Sequence, residues 1–111
     1  MDVTDRLILT QICKLLDVSS TDMTNQNRQA HLSRKRQMIY YYLRMDLGWQ
    51  WNRIGKLMER HHATIIDGYK KAKHQLEIYT DTQELYAKLH QETADYIELN
   101  PYLLQALTTL I

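Results

Sequence analysis

A chain of 111 residues, 44% hydrophobic and 24% charged, has room for one compact core and excludes a multi-domain machine. Its one cysteine, Cys13, excludes an internal disulfide framework and fits a reducing compartment. No apolar run reaches the roughly 18 residues of a membrane span and residues 1–20 lack a secretory pattern, so a cytoplasmic protein without a membrane partner is expected. Three Gly and one Pro are too few for the many turns of a β-rich fold, which leaves an all-α class.

The formal net charge of +1 conceals three unlike segments. Residues 1–23 carry −2, residues 24–78 carry +7 and residues 79–111 carry −4. The central block fits a phosphate-binding surface, and on charge alone it fits a solvated face equally well.

Thr4 or Asp2 can cap a first helix running to about Leu16, with Leu7, Ile8, Ile12, Leu15 and Leu16 on its apolar stripe. Ser19 or Ser20 then caps a short turn packed through Met23, inside a polar stretch that otherwise reads as loop. Ser33 caps a helix through Leu47 whose stripe is Met38, Ile39, Tyr42, Leu43 and Leu47, and Gly48 follows where a left-handed residue is cheap. A short helix from about Gln50 to Glu59 buries Trp51, Ile54, Leu57 and Met58. A tight break at Arg60-His61 leads to a helix ending near Tyr79, its inward face Ile65, Ile66, Tyr69, Ala72 and Leu76. A further helix spans roughly Thr82 to Glu98. Asn100-Pro101 stops it, since proline disfavours the α conformation in the residue before it. Tyr102 to Ile111 make a short apolar helix.

The pair of helices across residues 50–76 is the informative unit. Two helices joined by a tight turn form a helix-turn-helix, whose second member enters the DNA major groove and reads bases from its N-terminal end. Here that end is His61, His62, Ala63, Thr64. Thr64, Asp67, Gly68 and Lys71 are expected on the outward side. Gly68 costs about 1 kcal/mol of helix propensity against Ala. Close approach to phosphates and close helix packing both account for it, whereas Gly55 fits close packing within the motif.

Arg36-Gln37, then sixteen residues, Ile54-Gly55, then His61-His62-Ala63-Thr64-Ile65 with Lys70-Lys71 after it, resembles the C-terminal DNA-binding domain (domain IV) of the bacterial chromosomal replication initiator DnaA. The likeness covers about residues 5–78, and between Gly55 and His61 this chain is one residue shorter. It implies a small helical bundle with a helix-turn-helix, of the DnaA domain IV or Trp-repressor type, with extra C-terminal helices. It also implies base contacts from His62 and Thr64, and from Arg28 in the minor groove. Lys71 matches a basic position of the recognition helix, and Arg34 and Arg36 basic positions near the backbone. Gly68 stands where the family has a small Ala. His61 replaces the family's Asp, which caps the helix and faces a base; a neutral His is expected to cap poorly and a protonated one to oppose the helix dipole. Ala63 replaces a hydrogen-bonding Thr. The family's ATPase is absent from this chain, as is any G-x-x-x-x-G-K-[ST] loop, so ATP hydrolysis is not expected.

Other chemistries lack a constellation. Adjacent His61 and His62 point about 100° apart on a helix and His74 lies three turns on, so neither a metal nor a cofactor is expected. Cys13 sits in an apolar helix as a small hydrophobe, no carboxylate pair or catalytic residue stands out, and no small-molecule substrate is expected. Tyr42 belongs in the core, with Tyr40 or Tyr41 at its edge. The reading is therefore a helix-turn-helix unit over residues 1–79 and a helical extension over 80–111. Double-stranded DNA is the expected partner, with bases read by Arg28, His61, His62 and Thr64. Phosphates are expected on Arg34, Lys35, Arg36, Arg53, Lys56, Arg60, Lys70 and Lys71. An accessory replication factor, phage- or plasmid-encoded, and a regulator at initiator-like boxes both fit. The alternative is a protein-interaction subunit in which the acidic, apolar C-terminal helices bind a replication or regulatory partner and the helix-turn-helix is a retained scaffold. The extension itself is expected either to pack back on the domain or to form a homodimer through residues 82–111.

Overall fold

A computed structural model describes residues 3–26, 29–103 and 105. Among them the regular elements are α1 (Val3–Leu15), α2 (Ser20–Thr24), α3 (Ala30–Met45), α4 (Trp51–Met58), α5 (His62–Ile78) and α6 (Thr80–Glu98), with no strand. The all-α bundle expected from the composition is the fold observed.

Periodicity accounts for most of the packing. In α1, Ile8, Ile12 and Leu16 align with Leu9 and Cys13 to make the buried face. Leu7 was expected in that stripe, but it is 39% exposed, because the i, i+4 series through Ile8 turns its neighbour toward the edge. Burial pushes the Cys13 thiol up to about 11, the state of an inert small hydrophobe. Ser19 caps α2 by accepting from the Asp22 N–H at 3.0 Å, and Met23 beneath is fully buried.

Helix α3 begins three residues before the expected Ser33 cap. The Ser33 N–H already donates to Gln29 O at 3.0 Å, and the added turn brings Leu32 into the core. Its other end comes early: Asp46 is the C-cap, and Gly48, at φ +68, lets the Trp49 N–H return to Leu43 O at 3.1 Å. Tyr42 and Tyr40 are buried, while Tyr41 lies at the edge, stacked on Tyr69 at 5.3 Å.

The structure carries α5 into α6 through one residue. Tyr79 is the C-cap of α5 and the N-cap position of α6, so α6 starts two residues before the expected Thr82. Helix α6 packs on α1, α5 and α3, and its Leu89 and Ile97 belong to the same apolar cluster as Ile8, Ile12 and Leu43. The extension therefore folds back onto the bundle along this helix. Two polar ties reinforce it, with Tyr86 Oη and His90 Nδ1 each bonded to the Asp46 carboxylate at the end of α3. Beyond Glu98, Leu99 (81% exposed) and Tyr102 (69%) stay on the surface and Leu103 is buried. The expected final helix otherwise lies largely outside the described residues.

Across the bundle, Asp5 of α1 accepts two bonds from Arg53 of α4, at 3.2 and 2.7 Å, and the Arg53 guanidinium lies 3.8 Å from the Trp49 ring centroid. This charge-assisted pair ties the first helix to the helix-turn-helix.

Since Leu89 is enclosed, Leu89→Ala should lower unfolding free energy by about 2–5 kcal/mol in urea titration. Truncation after Tyr79 should abolish a cooperative transition, because it uncovers α1 and α3. A truncated chain that melts like the intact one would show that α6 is not part of the core.

Candidate nucleic-acid interface

The turn between α4 and α5 is closed by backbone contacts that require glycine at position 55. The Arg60 N–H bonds to Gly55 O at 2.9 Å, and a β-carbon on Gly55 would lie 2.6 Å from Arg60 O. Glu59 takes up the reversal in the left-handed region, at φ 54. The turn ends on His61, whose Nδ1 accepts from the Ala63 N–H at 3.2 Å. The expected weak cap is thus a formed one: neutral imidazole supplies the acceptor that orphan helix N–H groups need.

Helix α5 then lies on α3. Gln75 bonds to Gln37 at 3.1 Å and Gly68 abuts Tyr40, so the two helices run in opposite senses along their contact. A β-carbon at Gly68 would stand 2.6 Å from the Tyr40 ring. Gly68 is buried, not outward as expected, and close helix packing is its reason. Ile65 and Ala72 complete the buried face, with Ile66, Tyr69 and Leu76 half-buried. What remains outside is the leading edge: His61, His62, Ala63 and Thr64 are all exposed, and the two imidazoles meet at a tilt with centroids 4.2 Å apart. Between α3 and α5 runs a polar cleft of about 140 Å³ lined by Ser33, Gln37, Thr64 and Lys71 among others.

The cations divide into two sets. Arg36 is 5% exposed, and its guanidinium donates to Met23 O at 3.2 Å, Asp22 O at 2.6 Å and Asn25 Oδ1 at 3.0 Å. Arg60 donates to Thr24 O at 2.9 Å and to Asn25 O. Together they satisfy the carbonyls at the C-terminal end of α2, where a helix leaves acceptors unpaired and favours cations. Arg53 is engaged by Asp5. Phosphate contact was the expectation for these three, but their guanidiniums are committed to intramolecular bonds, two of them bracing the segment that leads to residue 28. Arg28 itself lies outside the described residues.

Arg34, Lys56, Lys70 and Lys71 are exposed and Lys35 is half-buried. Lys71 reaches Asp67 at 3.0 Å, a surface i, i+4 pair worth little energetically. Arg34 and Lys35 stand at the start of α3 and line a groove with Gln75, Asp81 and Thr82. Sequence reasoning overlooked Ser33 and Gln37 as cleft residues; an α3 beginning at Ala30 would have shown them one turn apart on a single face.

Replacing Arg36 by alanine should destabilise the fold by about 2–3 kcal/mol, since the α2 carbonyls lose charged donors. Circular dichroism melts of Arg36→Ala beside Lys70→Ala, the latter near neutral, check the division.

The family model described as bacterial DnaA protein helix-turn-helix matches residues 6–72, from α1 into α5. The chromosomal replication initiator protein DnaA of Mycoplasma pneumoniae is 28% identical over 83 residues, covering 75% of this chain and 19% of that protein. DnaA of Thermomicrobium roseum is 28% identical over 95 residues, 81% of this chain and 20% of its own length. The Mycoplasma genitalium protein is 25% identical over 83 residues. The chain thus spans about a fifth of these relatives. With the model matching more than half of it, and the turn and recognition helix inside the match, the chain belongs to the bacterial DnaA helix-turn-helix family.

Proposed function

We propose that this chain binds double-stranded DNA with a sequence preference, as a non-catalytic module acting in replication or its control. One observation carries the reading. His61 to Thr64 stand together on the surface at the N-terminal end of α5, while Ile65, Gly68 and Ala72 behind them are locked into the bundle. That is the end of the second helix that reaches base edges in a helix-turn-helix. His62 and Thr64 read bases, His61 is a third reader, and Arg28 enters the adjacent minor groove. Arg34, Lys35, Lys56, Lys70 and Lys71 hold phosphates. In this role the chain occupies initiator-type boxes as an accessory replication factor or as a regulator of the genes beside them.

The test is selection of bound duplexes from a random pool at stated salt. An enriched motif is expected, and none would end the sequence-reading claim. His62→Ala and Thr64→Ala should each lose about 1–3 kcal/mol of discrimination at one base position. Lys71→Ala should weaken binding to all sequences alike and lower the slope of log affinity against log salt by about one unit.

A second reading, self-association through residues 82–111, is favoured by the exposed Leu99 and Tyr102 just beyond α6. Sedimentation equilibrium of the full chain should then give a dimer that Leu99→Glu and Tyr102→Glu convert to monomer. A wild-type monomer at high concentration removes this reading.

A further inference from the structure

We propose that His61 sets the sign of base recognition at the head of α5: it donates a hydrogen bond from Nε2 and so selects a base that presents an acceptor in the major groove. The inference rests on the DNA-binding function proposed above. It follows from one bond: the Ala63 N–H donates to His61 Nδ1 at 3.2 Å. A nitrogen that accepts carries no proton, so the neutral ring holds its proton on Nε2. With Nδ1 turned back onto the helix start, Nε2–H lies on the far side of the ring from the capped N–H. The His62 ring, 4.2 Å away between centroids and tilted by 33°, gives the imidazole a second contact. His61 is exposed, so the donor is presented to whatever the helix enters.

Base edges differ in what they offer such a donor. Guanine presents two acceptors, N7 and O6, thymine presents O4 and adenine N7, whereas cytosine presents only its N4 donor. His61 therefore favours guanine, tolerates thymine or adenine, and rejects cytosine. A carboxylate capping the same helix would do the reverse, because it accepts at both oxygens and seeks the amino groups of cytosine or adenine. The hydroxyl of Thr64 can donate or accept, so it carries no such sign.

The experiment is duplex selection with the full chain, its His61→Asp variant and its His61→Asn variant at one salt concentration. Aspartate and asparagine share a shape and both cap helices well, so the fold is kept; thermal melts confirm that each variant is folded. Asparagine can cap with its oxygen and leave an amide donor outward, whereas aspartate leaves only an acceptor. The wild type should deplete cytosine at one motif position in favour of guanine. His61→Asp should turn that position toward cytosine or adenine by about 5- to 10-fold, leave the other positions unchanged, and His61→Asn should keep guanine. An unchanged motif in His61→Asp, or cytosine selected there by the wild type, overturns the assignment while leaving DNA reading intact. If His61→Asp binds nothing, the asparagine arm decides: guanine retained supports the assignment and equal use of four bases overturns it. A wild-type pool without any motif overturns both this assignment and the function on which it rests.

Discussion

Contact between α5 and the Tyr40 ring at Gly68 sets the position of the candidate reading residues His61, His62 and Thr64. Were a side chain present there, its β-carbon would overlap the ring, and α5 would have to rise off α3. The same holds at Gly55, where the turn folds so tightly that Arg60 O occupies the space of a β-carbon. Those two close approaches fix the distance and the entry angle of α5, and interiors packed at crystal-like density leave little room to compensate. The cost in helix propensity at Gly68 is repaid inside the bundle, so the exposed His61–Thr64 edge owes its placement to residues that face the opposite way.

Charge behaves differently from its total. The central +7 is partly internal: Arg36 and Arg60 hold the carbonyls of Asp22, Met23, Thr24 and Asn25, and Arg53 holds Asp5. Arginine suits this work because its planar fork can serve several acceptors at once and keeps its charge when buried. Burial first, then the neighbouring Arg60, lowers the proton affinity of Arg36. Lysines Lys56, Lys70 and Lys71 are outside, as single charges on flexible stems. Among the described residues of the central block, arginines thus brace more than lysines do, although Arg34 is exposed and Lys35 half-buried.

Much of this architecture was legible in the chain. Apolar spacing predicted α1, α4 and α5 to within about two residues, and a short turn capped at Ser19 or Ser20, with Tyr42 in the core, followed from local chemistry. The misses share a cause. Ser33 had the chemistry of a cap, but Leu32 drew the helix onset back to Ala30, because burial outweighs a capping preference. Gly68 was placed outward because a helical wheel cannot say which neighbour comes close, and Tyr40, twenty-eight positions earlier in sequence, decides it. The buried Arg36 was counted as a surface cation, since nothing local distinguishes it from Arg34. Long-range partners were invisible, and so was the imidazole acceptor at His61, which depends on a side-chain torsion.

The one-residue joint at Tyr79 has a mechanical consequence. Gln83 spans it, its backbone N–H bonded to Tyr79 O at 3.1 Å and its side-chain amide to Leu76 O at 2.8 Å. Such a joint has no slack, so a load applied to the leading end of α5 cannot be absorbed at its trailing end. It passes into α6 and from there to the footing of that helix on α1, which makes the C-terminal helix a strut for the one it follows.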